Sequence, residues 1–469
     1  MLPVRTGYDS RVVTWQTGVI AGLILAILYS ASPLFTLTLA ASACLLNIAG
    51  RGLSARERRL LTLVLGSGLA LRFIFIGLTM VSDIPFLNDL GVGGFGGDDA
   101  YYLSRAIRAR DLALGVTEGR YDYFVTTDEY GRTSYLHLLT VLQVLFGPTP
   151  YGMRALNGLV FTAAAVILFR IVRPAFGWTA SVSALTVLLF LPSLFVSSVS
   201  LTKEPVYFLV TAFLVLATWK LVTAQSLRRA AGAALGGGLC LYLLDDLRRG
   251  ALPLALSSVA LAVALPHVLA TRRRALAAVS VAILTAAALW FAAPLRARAI
   301  AAVVSVAKIH AGHVFTSGHA YKLLDEGFYA NPGTPAAWVL ELTEAQAARF
   351  LVRALVSFAV TPLPWEMRSA SELAFFPEHV LWWLTLLLTP AGVIEGWRRD
   401  RRVTAILIAF VVPMAAALAV TNGNVGTLLR LRGLVTPFMI WLAVLGALAA
   451  AEHILTSKAA PSMAPEQAG

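Results

Sequence analysis

Charge is scarce in this chain. Asp, Glu, Lys and Arg make up 13% of its 469 residues, where an ordinary globular domain carries about 25%. Apolar residues fill 58% of the sequence, and the mean hydropathy is +0.75. A soluble enzyme, a DNA-binding factor and a disordered scaffold are excluded on these grounds. Cysteine is nearly absent: Cys44 and Cys240 both lie inside apolar stretches. A disulfide framework or a cysteine metal site needs several cysteines at set spacings, so both are expected to be small buried side chains. Neither a tandem repeat nor a separate soluble domain is evident.

What the sequence has instead is a succession of apolar runs. A helix needs about 20 apolar residues to cross the bilayer core. Windows of that length predict spans near 15–31, 33–49, 60–81, 155–172, 178–200, 204–222, 232–247, 251–270, 275–293, 380–397, 403–421 and 433–452. The expected fold is an all-α polytopic membrane protein of about a dozen transmembrane helices. Residues 1–454 form a single integral membrane domain, and the Ala/Pro/Ser/Gln-rich tail 455–469 is expected to be disordered. The apolar start resembles a cleaved signal peptide, but a second run follows almost at once, which favours a retained helical hairpin. Segments 135–147 and 346–363 are too short to be assigned as full crossings.

Lys and Arg outnumber Asp and Glu by 38 to 25, for a net charge of +13. The excess sits between apolar runs: Arg51/Arg56/Arg58/Arg59, Arg228/Arg229, Arg272/Arg273/Arg274 and Arg398/Arg399/Arg401/Arg402. Cytoplasmic loops retain Lys and Arg, so these clusters mark the cytoplasmic side of an inner membrane. No nucleic-acid partner is expected, because no module interleaves aromatic and basic residues. The opposite, outer face then receives the loop 82–134, the polar stretch 296–379 and the short loop 421–432. Only these outer segments offer enough polar surface for a reaction. The spans themselves are almost free of charge, which argues against coupled ion transport.

In the first outer loop, Gly93-Gly94-Phe95-Gly96-Gly97 leads into Asp98-Asp99-Ala100-Tyr101-Tyr102, where a helical pattern starts. Leu103, Ile107 and Leu114 share one face and Arg105, Arg108 and Asp111 another, the pattern of a helix lying on the membrane. A carboxylate at its N-terminus is favoured by the helix dipole, and one Asp there would also serve as a cap. Two acids after a glycine run exceed what a cap requires.

Asp98-Asp99-Ala100-Tyr101-Tyr102 resembles the Asp-acid-x-x-Tyr signature of the GT-C fold glycosyltransferases. That family uses polyprenyl-phosphate sugars and includes protein O-mannosyltransferases and the aminoarabinose transferases of lipid A. The similarity continues through Tyr135-Leu136-His137-Leu138-Leu139, Leu145-Phe146-Gly147, Arg154-Ala155-Leu156-Asn157 and Phe169-Arg170-Ile171-Val172-Arg173. It covers roughly residues 60–222, and the order of elements carries more weight than any one motif. The family's frequent proline ahead of the segment at 135 is replaced here by Gly131-Arg132-Thr133-Ser134.

The resemblance implies a GT-C-like bundle with a polyprenyl-phosphate-linked sugar donor, a lipid, glycan or protein acceptor, and Asp98 as catalytic base. A carboxylate positioned at an acceptor hydroxyl can take the proton released in the attack. Asp99 would orient that base or share a divalent cation with Asp98 and Glu204, since hard oxygen ligands suit such an ion; no cofactor is otherwise implied. Glu204, in Ser200-Leu201-Thr202-Lys203-Glu204-Pro205, resembles the family's acid-proline junction, and its alternative is a Lys203/Glu204 pair closing a span. A departing lipid phosphate needs cations. Lys203 is one; Arg430 and Arg432 follow the turn Asn422-Gly423-Asn424-Val425-Gly426-Thr427 and are suited to gripping phosphate in pairs, or to snorkelling at a helix end. Tyr102, Glu366 and Arg368 are further substrate-binding candidates, with Pro364-Trp365 read as an interfacial anchor. The competing readings are an O-antigen-type polymerase or ligase of lipid-linked glycans and a non-enzymatic flippase.

Overall fold

The computed structural model describes residues 9–81, 98–116, 133–316, 319–329, 341–367 and 373–459. Regular structure among the described residues is helical, apart from one isolated bridge between Ala320 and Asn424. In chain order the helices are α1 (Asp9–Ala31), α2 (Pro33–Ala49), α3 (Ala55–Val81), α4 (Asp98–Ala113), α5 (Ser134–Phe146) and α6 (Pro150–Phe176). Then come α7 (Trp178–Phe190), α8 (Pro192–Val199), α9 (Glu204–Val222), α10 (Leu227–Leu247), α11 (Ala251–Val268) and α12 (Arg272–Phe291). The chain continues with α13 (Ala293–Val314), α14 (Glu344–Val360), α15 (Phe376–Arg399), α16 (Arg401–Thr421), α17 (Val425–Arg432) and α18 (Thr436–Ala459).

Eight of these, α3, α6, α9, α10, α11, α15, α16 and α18, are long and apolar enough to cross a bilayer. The protein is an all-α polytopic membrane protein. The count rises to ten if two bent pairs are each one span, below the dozen expected from the sequence. The two expected spans outside that count lie at the N-terminus, in α1 and α2, whose described apolar stretches are Trp15–Ser30 and Pro33–Ala49. The span expected at 178–200 is broken: α7 and α8 meet at 60° because Pro192 brings no N–H to bond back and crowds the preceding turn. Residues 455–459 continue α18, and the rest of the tail lies outside the described residues.

The chain forms two compact units, residues 1–163 with 195–209, and residues 164–194 with 210–469. In the first, α4 packs on α5. Tyr102, Ala106 and Ala109 are the buried apolar residues of α4, so the inward stripe lies beside the Leu103/Ile107/Leu114 stripe read from the sequence. Two alanines let the partner helix approach closely, and Leu114 is left exposed. Nearby, Phe35 meets Phe73 and Tyr151 edge to face at 5.4 and 4.6 Å.

In the second unit α15 and α18 pack most tightly, through glycines. A Cβ on Gly392 would stand 1.8 Å from the carbonyl oxygen of Leu442, and one on Gly446 would stand 2.2 Å from that of Leu388. Small residues at such crossings are how helices gain contact in lipid, where burial of apolar surface provides no drive. Both ends of α15 are pinned. At its C-terminal end Arg399 donates to the carbonyl of Phe176 at 2.9 Å, so the Arg398–Arg402 cluster adjoins the end of the helix that carries Arg170 and Arg173. At its N-terminal end Glu378 accepts from the backbone N–H of Ser193 at 2.8 Å and from its hydroxyl, capping α8.

Candidate active site

The first unit joins the two acid motifs that the sequence separates by about a hundred residues. Asp98 and Asp99 open α4. Asp98 is half-buried, whereas Asp99 is 5% exposed. One Asp99 oxygen takes a 3.1 Å bond from the Arg154 guanidinium. Its other oxygen accepts from the backbone N–H of Leu201 at 3.1 Å. A carboxylate so held has both oxygens engaged, and it ties the start of α4 to the junction that leads into Glu204.

Asn157 completes the clamp. Its side-chain nitrogen donates to the Tyr135 hydroxyl at 3.0 Å and to the carbonyls of Ser200 and Thr202 at 2.7 and 3.2 Å. Those two carbonyls follow the end of α8, where no helical N–H reaches them. Tyr135 is buried and meets Tyr102 edge to face at 5.2 Å. Burial pushes its hydroxyl well above the usual tyrosine range, and the Asp99 and Glu204 carboxylates act in the same direction. Tyr102 is thus packed into the site wall, and Tyr101 lies beneath the Arg105 guanidinium at 4.7 Å. Lys203 and Glu204 are half-buried beside this network, and Glu204 opens α9. The glycine run 93–97 lies outside the described residues.

The same unit holds a charge that the sequence reading passed over. Arg72, seventeen residues into α3, is 0% exposed. Its guanidinium donates to Ser198 Oγ at 2.7 Å and to the Gly68 carbonyl at 3.0 Å, and it lies 5.2 Å from the centre of the Phe161 ring and 4.8 Å from that of Phe195. A lone arginine within the apolar run 60–81 was the available signal, because intramembrane charge is costly and seldom idle.

Arg430 and Arg432, expected from the charge pattern on the outer face, belong to the second unit. Asn424 caps α17 by accepting from the Thr427 N–H at 3.1 Å. Gly423 is required by space: a Cβ there would stand 2.6 Å from the His310 carbonyl oxygen and 2.5 Å from Val314 Cγ2. Tyr321 N–H donates to the Gly423 carbonyl at 2.9 Å, and Val425 N–H to that of His319 at 2.8 Å. The loop 421–432 and the stretch 319–329 are therefore laced together by backbone.

Arg430 and Arg432 differ sharply. Arg432 is 4% exposed. It donates to the carbonyls of Phe358 and of Thr361 (2.6 Å for the latter), approaches His379 Nδ1 at 3.4 Å, and lies 4.9 Å from the centre of the Trp382 ring. Burial pulls the Arg432 guanidinium down to about 9, so it remains a cation at neutral pH. Arg432 braces the ends of α14 and α15, and Arg430 is the half-buried one of the pair. Glu366 accepts from the Leu363 N–H at 2.7 Å and closes a local turn, beside a Trp365 that is 78% exposed, as an interfacial anchor requires. Arg368 lies outside the described residues. Among the described residues no three His, Cys, Asp or Glu side chains come together as metal ligands.

Comparisons with protein-family models, curated proteins and solved structures give no match. The class that the fold defines is a polytopic helical membrane protein in which the buried Asp99–Arg154 pair ties α4 to the junction before α9.

Proposed function

We propose that this protein is an integral-membrane glycosyltransferase that moves a sugar from a polyprenyl-phosphate donor to an acceptor hydroxyl at the membrane face opposite the basic loops. The observation that carries the reading is the Asp99 clamp, which joins α4 to the Leu201–Glu204 junction and leaves Asp98 at a helix N-terminus. In the proposed step the acceptor oxygen attacks the anomeric carbon as the bond to the donor phosphate breaks. The bonding pair leaves with the polyprenyl phosphate, the acceptor proton passes to Asp98, and the sugar inverts. Lys203 offsets the charge that builds on the leaving phosphate. Glu204 positions the donor. Asp99, Arg154, Asn157 and Tyr135 hold this geometry without touching the reacting atoms. The test is mass spectrometry of membrane glycolipids and cell-wall glycans with and without Asp98→Asn. Loss of one glycan product with build-up of its polyprenyl-phosphate sugar is expected; an unchanged profile removes the reading. Lipid-linked glycan crossing liposomes without any product would favour the flippase alternative instead.

A further inference from the structure

Helices α9 and α10, joined by a four-residue turn, line an open groove of about 750 Å³, within the roughly 300–1,000 Å³ typical of ligand sites. Its walls are apolar: Val210, Phe213 and Leu216 on α9 face Leu239 and Leu243 on α10. Gly232 and Gly236, one turn apart, also line it, and a Cβ on either would meet nothing within 4 Å. By contrast, a Cβ on Gly237 would stand 3.7 Å from Ala217 Cβ, so one glycine packs the two helices together while two leave room between them. Elsewhere on α10, Leu235 is 79% and Tyr242 71% exposed, apolar surface that suits contact with lipid.

The groove has a charged end. Lys220, at the close of α9, and Arg229, at the start of α10, both line it where the turn joins the helices. No acid occurs between Glu204 and Asp245, while Lys220, Arg228 and Arg229 all fall in that interval. Neither Lys220 nor Arg229 has a carboxylate partner among the described residues.

We infer that this groove is a binding site for an anionic phospholipid, with one acyl chain along Gly232 and Gly236 and the phosphate headgroup between Lys220 and Arg229. Basic side chains at helix ends reach headgroup depth, and basic pockets between spans on the side of the positive loops recognise anionic headgroups. A zwitterionic lipid offers the same chain but no net charge to balance two cations. The site lies at the end of the spans that carries the basic loops, and it does not depend on the glycosyl-transfer reading.

The test uses the full chain in nanodiscs of equal phosphatidylglycerol and phosphatidylcholine, released into the gas phase for native mass spectrometry. Wild type is expected to retain one phosphatidylglycerol that Lys220→Ala/Arg229→Ala holds at least fivefold less, with phosphatidylcholine retention unchanged. Gly236→Leu keeps both cations but fills the groove, and it is expected to lose the same lipid; should the double variant not fold, this one decides. Equal phosphatidylglycerol retention by wild type and Gly236→Leu overturns the proposal. So does retention of phosphatidylcholine to the same extent, displacement by added polyprenyl phosphate, or a wild-type dimer that Gly236→Leu converts to monomer.

Discussion

At the scale of single residues, two adjacent aspartates carry different burdens. Asp98→Asn is expected to keep the fold and to lower transfer on the order of 10²–10⁴-fold, since an amide has the shape of the carboxylate but cannot take the proton. Asp99→Asn is expected to do its harm through stability. It breaks the buried pair with the Arg154 guanidinium, a loss of about 3–5 kcal/mol for a broken buried pair. Thermal unfolding of both variants beside their product yields separates the roles; a large fall in Tm for Asp98→Asn would assign it to the fold. The two arginines divide in the same way. Arg432→Lys is expected to lower Tm, because one ammonium cannot keep two carbonyl bonds and the contact with Trp382, at about 1.5–3 kcal/mol for each lost charged hydrogen bond. Arg430→Lys is expected to leave Tm unchanged and to weaken donor use at limiting donor. Full donor use in that variant would return Arg430 to a snorkelling role.

At the scale of helices, the crossing of α15 and α18 is the point of least tolerance. Gly392→Ala drives a methyl group into the backbone of the facing helix, and overpacking of this kind costs about 1–3 kcal/mol or more. A lower unfolding temperature in detergent and reduced membrane yield are the expected readouts, with Gly238→Ala as the control that meets empty space. Helix α14 shows a different logic. Its Ala347, Phe350, Ala354 and Phe358 are buried at helical spacing, while Leu351, Val352, Leu355 and Val356 are exposed. One face joins the fold and the other is apolar where water would demand polar residues, which suits a helix resting against lipid. Its 17 residues reach about 25 Å, short of a roughly 30 Å core.

At the scale of the whole molecule, the charge pattern makes a claim about sidedness. Val116 and Gly426 are exposed, on loops expected to lie outside, and Arg401 is exposed in a basic cluster expected to lie inside. Single cysteines at these positions, in a background without Cys44 and Cys240, are expected to react with a membrane-impermeant maleimide in intact spheroplasts at 116 and 426 only. Reaction at 401 would invert the topology, and reaction at only one of the outer pair would place Asp98 and Arg430 on opposite faces. Asn422 would be a poor reporter, since it is 1% exposed.

Composition and run length alone determined that this is a helical membrane protein, because a bilayer admits only helices and closed barrels, and continuous apolar runs near 20 residues fit a helix rather than a short alternating strand. Most windows predicted as spans fall on helix for the same reason, with 178–200 broken at Leu191 before Pro192. The Asp98-Asp99 helix start was likewise legible, being a matter of local caps and dipoles. What tertiary structure alone decided is which polar groups meet. The division of labour between Asp98 and Asp99 depends on Arg154 and on the backbone of Leu201, that between Arg430 and Arg432 on the carbonyls of Phe358 and Thr361. The burial of Arg72 depends on Ser198 and two rings from other helices. Sequence periodicity reports which face of a helix is apolar, but a buried hydrogen bond is set by the approach of chain segments far apart in sequence, and no local pattern encodes that distance.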